Sequence, residues 1–242
     1  MANNGKQYNY TILLDGGHGI ETLKTGSKCS PSVKGVIDID NFNSDYIIDG
    51  KFREYKFARR LNEDASHIFK TMGINVVLVT PEEKDISLTE RVNRINKYCK
   101  EWPNPVMIST HVNAAGNGVW MSGRGWSAWT TRGQNVSDKL AECLYDAADN
   151  YLAKDPMFLE SFNGETKQKM IRMDKTDGDR DYESNFQIIK GANCPAVLVE
   201  NLFMDNKLDL ELLCDRHCFY RLVSVLVFGV NNYFKKYKGK DK

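Results

Sequence analysis

The sequence predicts an α/β protein: a twisted, largely parallel sheet with helices on both faces, in three layers. Segments with strand character alternate with helical segments along the 242 residues, which favours a sheet covered on both sides. The segments INVVLV (74–79) and PAVLV (195–199) are apolar except for Asn75, as expected of buried parallel strands. The length and the ordinary hydrophobic share of 41% indicate one domain over residues 1–242. Its core is expected at about 8–235, with loop insertions at about 20–50 and 154–184.

The first half of the chain is predicted to alternate strands and helices after one long loop. In order, we expect a strand over 8–14, a loop over 20–50, a helix over 53–71, a strand over 74–79, a helix from Ser87 to about Cys99 and a strand over 106–110. Apolar residues at helical spacing and the stop signal Gly73 support the first helix. Ser87 and Glu90 have the spacing of a capping box. The charged loop over 20–50 suggests a solvated surface with little core contact, either a substrate lid or a passive insertion.

The second half continues the alternation around a charged segment. We expect a strand over 125–131, a helix over 137–152, irregular structure over 154–184, short strands over 186–189 and 196–199, and a long C-terminal helical region that ends near Tyr237. Asp205 is the predicted cap of that last region.

Charge and cysteine usage exclude several classes of function. The formal net charge of +1 gives no argument for nucleic acid binding. The polar N-terminus shows no signal peptide, and the apolar run LVSVLVFGV is too short to span a bilayer. We therefore expect synthesis in the cytoplasm, no membrane span, and six free cysteines rather than disulfides.

Four residues carry the chemistry that the sequence suggests: His18, Glu54, His111 and Glu200. His18, His111 and Glu200 follow predicted strands, where sites of open α/β sheets collect. Two imidazoles and a carboxylate can hold Zn²⁺ and leave a position open for water. The second glutamate can then act as general base, which makes the chain a metal-assisted hydrolase. Taken singly, His18, Glu54 and His111 are each more often structural, whereas a buried carboxylate such as Glu200 is rare unless it is paired or metal-bound. Only the set and its surrounding motifs point to a site.

The motifs around these residues resemble a known family. DGGHG, a glutamate at the start of the first helix, SLTERVNRIN, ISTHVNA and PAVLVEN occur in this order, and together they look like the zinc-dependent N-acetylmuramoyl-L-alanine amidases of the Amidase_3 type. The resemblance covers roughly residues 8–235. It implies that His18, Glu54 and His111 are the zinc ligands and that Glu200 is the catalytic glutamate. Asn113 matches the Asn of the family's H-x-N pattern, with an implied role in orienting ligand or substrate.

Two features depart from the family pattern. The stretch between His18 and Glu54 is longer than usual, so that Glu21 is a second candidate for the ligand. The family's usual Arg after the second strand is replaced by VTPEEKDISL. The long insert is most similar to phage or prophage lysis amidases, or endolysins. The resemblance implies peptidoglycan as partner and release to the wall by a holin or by lysis; we expect a monomer.

Two other functions stay open at this point. The chain could be a zinc peptidase that cuts a stem-peptide bond, or a catalytically silent wall-binding module. Other signals are weaker. Asp15 could accept a hydrogen bond from His18 or cap the turn. Cys214, His217 and Cys218 share a helix but lack a fourth metal ligand. The tryptophans Trp120, Trp126 and Trp129 could stack on sugars or pack in the core.

Overall fold

A six-stranded sheet forms the centre of the computed structural model, which describes residues 9–38, 45–163, 165 and 167–238. The strands in chain order are β1 (Thr11–Gly16), β2 (Ile47–Ile48), β3 (Lys51–Phe52), β4 (Asn75–Leu78), β5 (Pro105–Asn113), β6 (Ser127–Thr130), β7 (Tyr182–Glu183) and β8 (Ala196–Phe203). The order across the sheet is β4-β1-β5-β8-β6-β7, and β2 pairs with β3 in a separate two-stranded sheet. The neighbouring strands β4, β1, β5 and β8 are parallel to one another, whereas β6 runs antiparallel to β8.

Helices cover both faces of this sheet. They are α1 (Thr22–Thr25), α2 (Glu54–Thr71), α3 (Leu88–Glu101), α4 (Val136–Tyr151), α5 (Pro156–Ser161), α6 (Lys167–Met170), α7 (Gln187–Lys190), α8 (Lys207–Cys214), α9 (Arg216–Tyr233) and a π-helical turn over Phe234–Lys238. Helices α2 and α4 pack on one face, with α9 against both of them, and α3 and α7 pack on the other. The predicted α/β fold with a largely parallel sheet is confirmed.

The alternation of side chains along β1 explains the two cores. Ile12 and Leu14 join the larger core under α2, whereas Leu13 joins the smaller core under α3 and α7. Successive strand residues point to opposite faces, so a buried parallel strand must be apolar on both. No helix in the described part of the chain is long and apolar enough to cross a bilayer. All six cysteines are free thiols, as expected.

The segment over 20–50 differs from its prediction as a solvated loop. Val33, Ile37 and Tyr46 are buried and belong to the larger core. Tyr46 packs against Phe52 and Phe57, with ring centroids 5.9 and 5.2 Å apart. These three core residues could not be recognised in the sequence, because they are widely spaced among charged residues and show no periodicity. Asp40, one of the charges behind the prediction, lies outside the described residues, as does Tyr8 at the start of the predicted first strand.

Three further predictions of elements were wrong. Residues 186–189 form the start of helix α7 rather than a strand, since an apolar tetrapeptide cannot by itself distinguish the two. The charged segment over 154–184 contains α5, α6 and β7, anchored by the buried Phe158. Asn206, not Asp205, caps the helix α8 by accepting from Leu208 and Asp209 N–H. By contrast, the Ser87 hydroxyl accepts from Glu90 N–H as predicted.

Candidate metal centre

The first histidine of the site lies in a tightly packed turn after β1. His18 adopts a left-handed backbone conformation with φ of 58°, which is uncommon outside glycine. A Cβ on Gly17 would lie 2.3 Å from Cε1 of His111, and one on Gly19 would lie 2.2 Å from the Asp85 nitrogen. Real side chains cannot approach so closely, so DGGHG needs both glycines to bring His18 beside His111.

The glutamate of the site begins helix α2. Glu54 is 2% exposed, and its Oε1 accepts a hydrogen bond from Val112 N–H at 3.1 Å. A carboxylate in the first turn of a helix faces the positive end of the helix dipole. Burial opposes the charge, but His18, His111 and these hydrogen bonds outweigh it and lower the pKa of Glu54. The residue is therefore ionised at neutral pH.

The second histidine and the second glutamate are partners across two parallel strands. His111 on β5 is in register with Glu200 on β8, so both side chains leave the sheet on the face covered by α3 and α7. Both residues lie inside their strands rather than past the ends, because β5 continues to Asn113 and β8 to Phe203. The register shifts just after His111, and such bulges often lie at functional sites.

The side chains of His18, Glu54 and His111 converge on one point. Their ligand atoms lie within 4.8 Å of one another. Glu54 Oε1 is 2.9 Å from His111 Nδ1, and its Oε2 is 3.5 Å from His18 Nε2. Burial lowers the pKa of His18 to about 4, which gives the neutral imidazole that binds metals. Burial also opposes a charge on His111, yet its hydrogen bond with Glu54 prevails and raises the pKa of His111.

Glu200 lines the same cleft and has an unsatisfied hydrogen-bond acceptor. Its Oε2 is buried and has no hydrogen-bond partner among the described residues. Burial raises the pKa of Glu200 to about 8, and Glu54 adds to that rise. A carboxyl group poised near neutral pH is suited to accept and return a proton.

The cleft has a volume of about 410 Å³. Its lining includes all four residues above, together with Lys28, Asn113, Phe186 and Met204. Sequence reasoning counted Lys28 only as a loop charge. In the structure its positive charge partly offsets the rise in the pKa of Glu200 that burial causes, and it adds to the fall in the pKa of His18. The cleft therefore combines polar groups with apolar side chains, as ligand sites usually do.

The comparison with known families decides the assignment of the chain. The model of the family Amidase_3, N-acetylmuramoyl-L-alanine amidase, matches residues 12–223. The chain belongs to this family. It is accordingly an amidase, a hydrolase of the bacterial cell wall. No curated protein sequence matches the chain significantly.

Several solved structures share the fold of this amidase. The N-acetylmuramoyl-L-alanine amidase from Clostridium difficile 630 matches with a TM-score of 0.69 at 19% identity, over 96% of this chain and 100% of that one. Cwp6 from Clostridium difficile matches with a TM-score of 0.61 at 26% identity, over 96% of this chain but 30% of Cwp6. The catalytic domain of the CD27L endolysin, which targets Clostridium difficile, matches with a TM-score of 0.58 at 20% identity, over 92% and 97% of the two chains.

Two arginines that sequence reasoning missed hold the DGGHG turn of the amidase. Arg59 donates to the carbonyl oxygen of His18 at 2.8 Å from helix α2, and Arg91 donates to the same oxygen at 3.0 Å from α3. Arg91 also pairs with Asp15 at 3.0 Å, and Asp15 accepts from the Ser109 hydroxyl at 2.7 Å. Asp15 thus fastens the turn through Arg91. Only the pattern SLTERVNRIN hinted at Arg91.

The other residues that the sequence suggested for the site lie around the cleft or outside the ligand cluster. Glu21 accepts from Asp85 N–H at 2.6 Å and stands outside the His18, Glu54 and His111 cluster. Asn113 lines the cleft, and its side chain accepts from Ala114 N–H. Asn201, next to Glu200, donates to the His111 carbonyl at 3.0 Å.

The tryptophans and the Cys214, His217 and Cys218 group, considered above as possible sites, have structural contacts in the fold. Trp126 is fully buried, Trp129 stacks on Tyr182 at 4.8 Å, and Trp120 packs against the larger core. No tryptophan is among the described residues that line the cleft. Cys214 and Cys218 are buried thiols, and the ring of His217 pairs with Asp155 at 2.8 Å.

Proposed function

We propose that this amidase hydrolyses the bond between the lactyl carbonyl of N-acetylmuramic acid and the amine of L-Ala in peptidoglycan, with zinc held by His18, Glu54 and His111. The observation that carries the proposal is the convergence of these three ligands beside Glu200, whose Oε2 lacks a partner. Two nitrogen donors and one carboxylate suit Zn²⁺ and leave a position for substrate or water. The family assignment supports the substrate class.

The donor set fits the metal on grounds of charge and burial. Glu54 is a buried carboxylate, and His18 is neutral at pH 7. A buried charge is costly unless it is paired or metal-bound. When bound, zinc would polarise the scissile carbonyl, lower the pKa of water from 15.7 to about 7 and favour the ionised form of Glu200.

The residues of the chain then divide the remaining work. Glu200 accepts a proton from the attacking water on its carboxylate. It delivers that proton to the departing amide nitrogen, which would otherwise leave as a strongly basic anion. General acid–base catalysis of this kind contributes about 10²–10⁴-fold. Arg59, Arg91 and Asn201 fix the backbone on which both histidines stand, which keeps the site in register with its substrate.

The test is the variant Glu200→Gln, assayed as the zinc-loaded protein on purified peptidoglycan with mass spectrometry of the products. We expect full zinc content, an unchanged melting temperature and a loss of kcat of about 10²–10⁴-fold. Glu21→Gln is the matched control, since it changes another glutamate close in sequence to His18 and should keep activity.

The products distinguish the alternatives. The proposed activity frees intact stem peptides that begin with L-Ala. Shortened stem peptides would identify a peptidase instead. Binding to peptidoglycan without any product, in the zinc-loaded parent protein, would leave only a wall-binding role.

We further propose that the amidase acts as a lysis enzyme that reaches the wall after the membrane is breached. The long segment between His18 and Glu54 and the fold shared with the catalytic domain of an endolysin support this role. Expression alone should be tolerated, and expression with a holin should lyse the host. Lysis with an intact inner membrane would contradict the proposal.

A further inference from the structure

A second group of carboxylates lies away from the cleft, at the other end of strand β6. The carboxylates of Asp138, Asp179 and Asp181 each have an oxygen within 4.8 Å of the others. Asp138 stands in the first turn of α4, and the other two lie just before β7. Ser127, at the start of β6, is in register with Glu200, whereas Thr130, at the end of β6, donates to Asp181. The two groups are thus separated by the length of β6.

The three carboxylates share one pattern of hydrogen bonding. In each, Oδ2 accepts a bond from the protein: from Asn135 N–H to Asp138, from the Gln134 amide to Asp179, and from the Thr130 hydroxyl to Asp181. In each, Oδ1 is buried and has no partner among the described residues. Asp181 is 1% exposed and Asp138 is 7% exposed. Three orphan oxygens are therefore buried in one place, where an unmet acceptor is costly.

The charge around this group is also unbalanced. Arg180, between Asp179 and Asp181 in sequence, turns instead to Glu142, Asp146 and Asp149 on α4 at 2.7, 2.6 and 3.2 Å. No lysine or arginine of the described residues forms a salt bridge with Asp138, Asp179 or Asp181. Burial, together with the neighbouring Asp179 and Asp138, raises the pKa of Asp181 to about 7. Like charges held this close repel one another unless a cation or a proton intervenes.

We propose that Asp138, Asp179 and Asp181 form a binding site for a hard divalent cation, with Ca²⁺ as the best fit. Carboxylate oxygens are the ligands that Ca²⁺ prefers, at 2.3–2.6 Å from the ion. Two ligands of one ion can then be up to about 5 Å apart, and one oxygen of each of the three carboxylates lies within 4.8 Å of the others. An ion held there ties the start of α4 to the segment that leads into β7, and it does so without touching the catalytic cleft.

The neighbouring aromatic residues provide a direct assay of binding. Trp129 and Tyr182 stack at 4.8 Å. Tyr182 follows the ligand Asp181 in sequence, and Trp129 precedes Thr130, which donates to Asp181. Tb³⁺ occupies Ca²⁺ sites and emits when a nearby aromatic ring transfers energy to it. Titration of the zinc-loaded full chain with Tb³⁺ should give a saturable emission that Ca²⁺ displaces.

Two variants test the assignment of the ligands. Asp181→Asn should weaken the displacement by Ca²⁺ roughly tenfold or more, because affinity follows ligand charge. Asp177→Asn removes the same charge from an exposed position of the same segment and should bind as the parent does. If circular dichroism shows that Asp181→Asn is unfolded, Asp179→Asn, which is partly exposed, takes its place. Equal binding by the parent and the folded ligand variant would overturn the proposal.

Thermal stability gives an independent readout, because the substitution Asp181→Asn should shift the melting temperature in opposite directions with and without Ca²⁺. At a Ca²⁺ concentration about 100-fold above the dissociation constant, the parent should gain roughly 5–10 °C in melting temperature. Without Ca²⁺, Asp181→Asn should melt above the parent, because it removes repulsion; with Ca²⁺ it should melt below. A parent that is indifferent to Ca²⁺ and loses stability as the pH rises from about 4 to about 7 would hold a shared proton in place of the ion, because the raised pKa of Asp181 lets the folded chain bind that proton over this range. That result would also overturn the proposal.

Discussion

Two clusters of acidic side chains, at opposite ends of strand β6, satisfy their charges in different ways. In the cleft, Glu54 has two histidines and the Val112 N–H as partners. Beyond the end of β6, Asp138, Asp179 and Asp181 each keep an oxygen without a partner. The first cluster combines nitrogen and oxygen donors and suits Zn²⁺, whereas the second offers oxygen alone and suits Ca²⁺.

The difference shows that residue type does not by itself identify a metal site. Asp209 is as deeply buried as Asp181, yet it accepts from Arg124 and from the N–H groups of Gly125 and Phe203. Its hydrogen-bonding capacity is used, so it needs no ion. The capacity that remains after the protein's own bonds are counted is what separates a structural carboxylate from a ligand.

The largest expected effect is loss of the metal from the cleft. His18→Ala and His111→Ala should each lose zinc, measured by elemental analysis, together with zinc-dependent turnover. Each change removes one of three protein ligands. Glu21→Ala is the control and should retain the metal. Full zinc occupancy in both histidine variants would remove these residues from the ligand set, and metal loss in Glu21→Ala would favour Glu21 over Glu54.

Removal of a paired buried charge should have the next largest effect. Asp209→Ala leaves Arg124, 9% exposed, without its carboxylate. We expect the free energy of unfolding to fall by about 3–5 kcal/mol, measured by urea denaturation. The free energy of unfolding of Asp181→Asn in Ca²⁺-free buffer should not fall below that of the parent. A comparable loss in both variants would erase the distinction between the paired and the unpaired carboxylates.

A methyl group placed against the His111 ring should mainly affect catalysis. The Cβ of Gly17→Ala would meet that ring at 2.3 Å and must displace it. A shift of about 1 Å at a catalytic centre can cost about 10²-fold, and we expect a loss of that order in kcat/KM. Gly16→Ala is the neighbouring control, since its Cβ would lie no closer than 3.3 Å to Arg59 and 3.5 Å to Asn62, against 2.3 Å for the contact of Gly17→Ala. Equal losses in both variants would point to general damage of the turn.

The smallest expected effect concerns Lys28. Its charge lowers the pKa of Glu200, so Lys28→Ala should raise that pKa further. Because Glu200 must be ionised to accept a proton, the acid limb of the profile of kcat/KM against pH should move to higher pH. Lys28 is exposed, and we expect a change in activity of at most about fivefold. Lys34→Ala, another exposed lysine of the segment, should leave the profile unchanged; a profile that does not move in Lys28→Ala would contradict the electrostatic role.

The sequence was sufficient for the fold class and for the convergence of the four cleft residues, because strands and motifs are local signals. His18 lies two residues after the end of β1, and apolar runs identified β4, β5 and β8. The ends of β5 and β8 were placed too early, since polar residues such as Glu200 look like the end of an apolar strand. The zinc content and the role of each cleft residue stay predictions.

The rest depended on contacts between residues far apart in the chain. Arg59 and Arg91 looked like surface residues of two helices, yet both reach the carbonyl of His18. Val33 and Ile37 looked like members of a charged loop, yet they are core residues. The aspartate cluster joins residues about 40 positions apart. Short-range periodicity carries no information about such pairs.

The DGGHG turn has a consequence for how the molecule opens. Arg59 and Arg91 reach the His18 carbonyl from helices on opposite faces of the sheet. The Gly17 N–H donates to Thr110 on the neighbouring strand. The turn therefore cannot loosen unless both helical layers part from the sheet, although it looks like an exposed loop in the sequence. Its amide protons should exchange with solvent at the slow rate of global unfolding, and not at the fast rate of surface turns.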